Sequence, residues 1–121
     1  MSDPFFDTNI LIDWLNDSPE AIAELSRYNK HRMSRVVWTE LLAGVPLEER
    51  DTLKQTLAAI EVVEIDARIA TVAADIRYRS PMKLMDAYIL ATAQVNGAIL
   101  ITRNTKDFPA NMPGIRVPYV I

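Results

Sequence analysis

The chain has 121 residues, of which 50% are apolar and 24% are charged, and its formal net charge is −3. These values are typical of a single globular domain, residues 1–121, and they exclude a disordered chain. The absence of cysteine and the presence of only one histidine exclude disulfides, thiolate chemistry and the usual nitrogen–sulfur zinc sites.

Strands and helices are predicted to alternate along the chain. Helices are indicated by apolar residues spaced three and four apart, and strands by short apolar runs. Ser18, Ser34 and Asp66 are suitable N-caps, while Gly44 and Gly97 are suitable helix ends. The predicted elements are a strand at 4–7, helices at about 9–16 and 18–28, a strand at 32–34, a helix ending at 42, a helix at about 47–60, a strand at 62–65, a helix beginning at 66, a helix at about 87–96, and strands at 98–102 and 115–117.

This alternation predicts an α/β fold in which helices cover both faces of a parallel sheet. The unbroken apolar run at 98–102 suits a strand that is covered on both faces, and 115–117 suits a short edge strand. Functional sites in such sheets lie beyond the carboxyl ends of the strands. Asp7, Asn104 and Asp107 follow predicted strands and therefore fall where a site is expected.

Four acids that adjoin apolar runs are the strongest candidates for a functional site. They are Asp7 in Phe-Phe-Asp-Thr-Asn, Glu40 in Trp-Thr-Glu-Leu-Leu, Asp86 in Met-Asp-Ala-Tyr, and Asp107 in Asn-Thr-Lys-Asp-Phe. An ionised carboxylate in apolar surroundings is unfavourable unless something compensates its charge. A divalent metal shared by several of them would provide that compensation and would favour hydrolysis of phosphodiesters.

Each candidate also has a purely structural explanation. Asp7 could cap the helix that follows the first strand, and Asp86 could cap the helix predicted from residue 87. Residues 102–108 could be an ordinary polar loop. Glu40 has small or apolar neighbours three and four positions away on its helix, so we expect it to point towards the core, either bound to a polar partner or extending to solvent.

Two further acids, Asp13 and Asp75, are expected to be solvated. Two carboxylates about 5 Å apart repel by roughly 3 kcal/mol at an effective dielectric constant near 20. Convergence of several acids would therefore destabilise the fold unless a cation binds them. Since the available ligands are oxygen atoms, Mg²⁺ or Mn²⁺ is the expected metal.

The net negative charge does not indicate a nucleic-acid-binding protein, but basic residues are clustered locally. Such clusters could bind phosphates near the acidic site, or they could be ordinary solvated charges. The clusters are Arg27, Lys30, Arg32 and Arg35; Arg77, Arg79 and Lys83; and Arg103 with Lys106.

The ordered set of motifs resembles the PIN-domain family, and specifically the VapC-type toxins of bacterial type II toxin–antitoxin pairs. The motifs are Asp-Thr-Asn-Ile-Leu-Ile-Asp at 7–13, Glu-Leu-Leu-Ala-Gly at 40–44, Asp-Ala-Tyr-Ile-Leu-Ala-Thr-Ala at 86–93, and Ile-Thr-Arg-Asn-Thr-Lys-Asp-Phe at 101–108. The resemblance implies a PIN-like three-layer sandwich whose central parallel sheet has about five strands. It also implies an Mg²⁺- or Mn²⁺-dependent endoribonuclease, a cognate antitoxin and a homodimer.

The resemblance also implies roles for individual residues. Asp7 and Asp86 match the principal metal-binding aspartates, and Glu40 matches the second acid of the family. Asn104 stands where many members have aspartate, which leaves Asp107 as the nearest acid and puts occupancy by two metals in question. Hydrogen bonds to the acids are implied for Thr8, Asn9 and Thr102, whereas Arg103 matches no defined role.

The departure at Asn104 supports an alternative function, in which the same scaffold binds RNA with little or no catalysis. A metal-dependent phosphatase built on Asp7 is disfavoured, because such enzymes typically have a second acid where Asn9 stands. No secretory signal or membrane-spanning run is evident, so we expect a cytoplasmic protein that does not insert into membranes.

Overall fold

The computed structural model describes residues 3–120, in which six α-helices and five strands alternate. The apolar spacing and the capping residues account for most of these elements. The strands are β1 (Phe5–Phe6), β2 (Arg32–Ser34), β3 (Glu61–Val63), β4 (Leu100–Ile101) and β5 (Ile115–Arg116), and the helices are α1 (Thr8–Leu15), α2 (Pro19–Ser26), α3 (Arg35–Ala43), α4 (Arg50–Leu57), α5 (Ala67–Arg79) and α6 (Leu84–Val95).

The five strands form one parallel sheet in the order β3-β2-β1-β4-β5. The predicted α/β sandwich with a five-strand parallel sheet flanked by helices is therefore confirmed, and β5 lies at one edge. β1 is central, and Phe5 and Phe6 on it are 1% and 0% exposed. Burial on both faces explains why this strand is an apolar run rather than an alternating one.

The register of β1 against β4 places two distant parts of the chain side by side. Phe6 is paired with Ile101, and the Asp7 amide donates to the Ile101 carbonyl at 2.9 Å. β4 is shorter than the predicted strand at 98–102, although the Thr102 amide continues the ladder by donating to the Arg116 carbonyl at 3.0 Å. Asp7 and Thr102 thus leave the sheet next to each other at its carboxyl edge.

Three predicted N-caps form the expected hydrogen bonds. Ser18, Ser34 and Asp66 accept from backbone amides at the starts of α2, α3 and α5 at 3.4, 3.1 and 2.8 Å. These bonds satisfy amides that have no partner within the helix. The prediction for residues 47–60 was less accurate, because that segment contains a 3₁₀ turn at Leu47–Glu49 before α4.

The start of α6 differs from the prediction. The helix begins at Leu84, and its N-cap position is Lys83, which makes no side-chain capping bond. Asp86 is therefore a residue of the first turn and not the N-cap, so the capping explanation for Asp86 is wrong. None of the helices among the described residues is long and apolar enough to cross a membrane.

Candidate active site at the carboxyl edge of the sheet

Asp7 is the most enclosed acid of the candidate site, with only 4% of its surface exposed. It caps α1, since its Oδ1 accepts from the Thr8 amide at 2.8 Å. Its Oδ2 accepts from the Thr102 hydroxyl at 2.7 Å and from the Asn9 side chain at 3.3 Å. Burial raises the pKa of Asp7 and the Glu40 charge adds to this, while the three hydrogen bonds oppose the increase. Asp7 thus caps a helix and also lies at the candidate site.

Glu40 lies on α3 and reaches the same region from another element. Its Oε1 accepts from the Thr8 hydroxyl at 2.6 Å, across 32 residues of sequence. Glu40 is exposed, so the prediction that it points towards the core is wrong. Of its neighbours three and four positions away, Gly44 borders a cavity of about 250 Å³, which Glu40 lines together with Ile12.

Asp86 is half-buried in the first turn of α6. Its pKa is raised to about 6, first by burial and then by the charges of Asp107, Asp7 and Glu40, with Lys83 acting in the opposite direction. The charges of the other three acids therefore act on Asp86, although they come from different segments of the chain.

The segment after β4 is held by a short series of hydrogen bonds. The Asn104 backbone amide donates to the Thr102 hydroxyl at 3.0 Å, and the Asn104 side-chain amide donates to Asp107 Oδ2 at 2.8 Å. The Asp107 amide donates back to Asn104 Oδ1 at 3.3 Å. Asn104 therefore orients Asp107, and Asp107 is the acid that this segment contributes to the site.

The prediction that Asp13 is solvated is wrong. The residues that bind it were also not identified from the sequence. Asp13 is 9% exposed and accepts two bonds from the Arg103 guanidinium, at 2.6 and 3.0 Å. The Tyr119 hydroxyl donates to Asp13 at 2.8 Å. Chiefly through Arg103, the pKa of Asp13 is held below its usual value. The apolar faces of α1 do not reveal such a pair, because the two partners are separated by 90 residues.

Several residues of the predicted basic clusters are engaged within the fold. Arg35 pairs with Glu64 and lies over the Trp38 ring, with its guanidinium carbon 4.5 Å from the ring centroid. Arg103 pairs with Asp13, whereas Lys83 and Lys106 are exposed beside the acidic site. Among the exposed residues of the basic clusters, these two lysines are the nearest in sequence to the acids, since Lys83 precedes Asp86 by three residues and Lys106 directly precedes Asp107.

The donor atoms suit a hard divalent cation. Four carboxylates and one amide provide oxygen ligands, and repulsion among the carboxylates favours binding of a cation. Within residues 3–120, however, no group of three or more His, Cys, Asp or Glu side chains is arranged closely enough to hold a metal ion. The acids thus fit Mg²⁺ or Mn²⁺ in chemistry, and their side chains would have to move closer together on binding.

Residues 5–111 match the family model described as the PIN domain. Ribonuclease VapC19 of Mycobacterium tuberculosis is 34% identical in an alignment that covers 93% of this chain and 97% of that protein. The tRNA(fMet)-specific endonuclease VapC of Shigella flexneri is 29% identical over 84% of this chain and 86% of its own length.

Among solved structures, a toxin–antitoxin complex from Klebsiella pneumoniae contains a chain with the same fold. The TM-score is 0.91 and the sequence identity is 37%, with 98% of this chain and 100% of that chain covered. The family model, the VapC relatives and this fold agree with one another. The chain therefore belongs to the PIN-domain family, as a VapC-type member.

Proposed function

We propose that the chain is a divalent-metal-dependent endoribonuclease that cleaves RNA phosphodiesters, acting as the toxin of a type II toxin–antitoxin pair. The observation that carries this proposal is the environment of Asp86, whose pKa is raised first by burial and then by the charges of Asp107, Asp7 and Glu40. Clustered acids of this kind destabilise a fold unless a ligand uses them. The VapC relatives, which are named as a ribonuclease and an endonuclease, support the same reaction class.

Asp7 and Asp86 are the residues proposed to hold Mg²⁺ or Mn²⁺, with Glu40 and Asp107 completing the acidic site. The bound metal would supply Lewis-acid activation of the phosphate and of water. Thr8, Asn9 and Thr102 orient the Asp7 and Glu40 carboxylates by donating hydrogen bonds to them. Oriented acids need less rearrangement on binding, and this is the role proposed for the three supporting residues.

Structured RNA is the substrate class to examine first, because the Shigella relative is named for a tRNA. Lys83 and Lys106 are proposed to contact phosphates on either side of the cleaved bond, since both are exposed and flank the acids. RNA of this kind would be selected by shape and by unpaired bases rather than by the sequence of a duplex.

A cognate antitoxin and a second copy of the chain are the proposed protein partners. The Klebsiella chain with a TM-score of 0.91 comes from a toxin–antitoxin complex, which supports an antitoxin. Affinity purification of the tagged chain from its native cells is expected to recover a small basic protein, and its absence would count against the toxin proposal. Light scattering of the purified chain measures its molar mass, which should be that of a homodimer. The cytoplasmic location stays a prediction.

The first test is cleavage of a labelled structured RNA in Mg²⁺, Mn²⁺ or EDTA. Asp7→Asn and Asp86→Asn should each reduce the cleavage rate by about 100-fold or more. Substitution of residues that only hydrogen-bond to metal ligands already lowers metal affinity or activity by about 10- to 100-fold. Asp75→Asn is the matched control, since Asp75 is an exposed acid on the neighbouring helix α5. Its activity should equal that of the unmodified chain.

The alternative is a PIN-fold module that binds RNA with little or no catalysis. It is favoured by the presence of Asn104 at a position where many members of the resembled family have aspartate. Equal RNA binding in Mg²⁺ and EDTA, with intact RNA after long incubation, would support this module and contradict the nuclease. Cleavage that survives both Asp7→Asn and Asp86→Asn would instead move the active site elsewhere.

A further inference from the structure

Two arginines near the C-terminal end of the chain make almost identical contacts with acids on N-terminal helices. Arg103 donates to Asp13 on α1 at 2.6 and 3.0 Å, and Arg116 donates to Glu24 on α2 at 2.7 and 3.0 Å. The side chains are also alike in exposure, at 31% and 11% for the first pair and 35% and 5% for the second. The two pairs are therefore closely matched as structural contacts.

The match extends to a third group in each cluster. Tyr119 donates its hydroxyl to Asp13 at 2.8 Å, and Tyr28 donates its hydroxyl to Glu24 at 3.0 Å. A charged pair with a bidentate guanidinium and an additional donor is a well-defined, directional contact. Glu24 has a second cation, Arg27, at 3.8 Å, so the loss of stability in Arg116→Ala is expected to be similar to that in Arg103→Ala or smaller.

The clusters differ in what surrounds each arginine. Arg103 stands between Thr102, which donates to Asp7, and Asn104, which donates to Asp107. Its own backbone amide donates to Asn9 Oδ1 at 3.3 Å. Every residue from 102 to 104 thus makes a contact that leads to a candidate metal-binding acid or its partner.

Arg116 lies at the end of the edge strand β5, and its side chain extends to α2. Its backbone carbonyl accepts from the Thr102 amide at 3.0 Å, and this contact would be kept on substitution by alanine. Within residues 3–120, its side chain donates to Glu24 and forms no hydrogen bond with the four acids or with the residues that donate to them.

We infer that Asp13, Arg103 and Tyr119 form a positioning cluster, which fastens the loop at residues 102–107 to α1 and so holds Asp107 and Thr102 in place beside Asp7. The inference deepens the proposed function and, for catalysis, rests on it. Residues 102–107 contain no helix or strand. Backbone bonds attach Thr102 to Arg116 and Phe108 to Asn104, and side-chain contacts provide the attachment of this loop to α1. Because α1 carries both Asp13 and the cap residue Asp7, a tether to α1 fixes the loop relative to the acid that it serves.

Hydrogen–deuterium exchange tests the positioning without requiring any activity. In Arg103→Ala, the backbone amides of Arg103, Asn104 and Asp107 should exchange about tenfold faster or more, because the loop that carries them loses its side-chain attachment to α1. In the matched control Arg116→Ala, exchange of the same amides should be within about threefold of the unmodified chain. Equal acceleration in the two variants would overturn the inference, because loss of stability alone would explain it.

Cleavage kinetics test the catalytic consequence. Arg103→Ala should lower kcat by about 10- to 100-fold, with a smaller effect on KM, since misplacement of a catalytic group by about 1 Å has effects of this size. Arg116→Ala should keep kcat, although its loss of stability in urea should be similar to that in Arg103→Ala or smaller. If neither the unmodified chain nor any variant cleaves RNA, the proposed nuclease function is wrong. The exchange experiment still tests the positioning role in that case.

Asp13→Ala and Tyr119→Phe separate positioning from direct contact with RNA. Both variants keep the Arg103 charge, and Tyr119→Phe removes a single hydroxyl, so it should fold even if larger changes do not. A positioning role predicts that Asp13→Ala reproduces the slower kcat and the faster exchange, and that Tyr119→Phe shows smaller changes of the same kind. Full activity in Asp13→Ala, with activity lost in Arg103→Ala, would show that Arg103 acts on the substrate and would overturn the inference.

Discussion

The carboxyl group of Asp86 has a pKa raised to about 6, first by burial and then by Asp107, Asp7 and Glu40. In the unfolded chain the pKa of the same group is expected to lie near its ordinary value of 3.8. The fold therefore binds this proton more tightly than the unfolded chain does. Stability contributed by the protonated form is present below about pH 4, and it is lost as the pH rises through 6.

Asp86→Asn should accordingly stabilise the metal-free protein at neutral pH. We expect the free energy of unfolding at pH 7.5 to rise by about 1 kcal/mol, a value reduced from the full shift because the side chain is only half-buried. The gain should disappear at pH 4. Urea unfolding in EDTA at the two pH values measures the difference, with Asp75→Asn as the control. An equal gain at both pH values would contradict an electrostatic cause.

Single residues also show where prediction from the sequence was sufficient and where it was not. Asp7 was recognised because it follows an apolar strand directly, which is a local pattern. Asp13 was expected to be solvated because its partners, Arg103 and Tyr119, are 90 and 106 residues away. No local pattern identifies partners at such separations, since they depend on the order of the strands in the sheet.

Among the helices, the starts of α2, α3 and α5 and the end of α6 near Gly97 were predicted correctly, whereas the start of α6 was not. Gly97 follows α6 with φ +62°, a conformation that glycine adopts without strain, and the chain then turns towards β4. Gly44 follows α3 with φ −85°, which any residue adopts. The start of α6 was predicted from the capping preference of aspartate, but the helix begins at Leu84, two residues before Asp86.

Gly97→Ala should destabilise the protein by about 1 kcal/mol, because alanine is strained at positive φ. A Cβ atom at residue 97 meets no heavy atom within 4 Å, so the effect should come from the backbone alone. Gly44→Ala is the matched control and should change stability by less than about 0.5 kcal/mol, since its Cβ would meet two carbonyl oxygens at an ordinary 3.6 Å. Urea unfolding measures the stability of both variants, and an equal loss in the two would contradict this account.

For the whole molecule, the meeting of four acids links metal binding to stability. A ligand that binds only the folded state stabilises it by mass action. At a hundredfold excess of Mg²⁺ or Mn²⁺ over its Kd, the gain should be about 3 kcal/mol, equivalent to an increase in Tm on the order of 10 °C. The control is the double variant Asp7→Asn with Asp86→Asn, whose Tm should not respond. An equal increase in the double variant would place the metal at another site.

The sequence by itself determined the alternation of strands and helices, the parallel sheet and the segments that carry the acids, because apolar spacing and capping residues act over a few positions. Only the tertiary structure decided which side chains meet. The register of β1 against β4 joins Asp7 to Thr102, and the order β3-β2-β1-β4-β5 brings Arg103 to Asp13. Glu40 likewise lies exposed beside Thr8 rather than towards the core, because the packing of α3 against α1 decides which face of α3 borders the site.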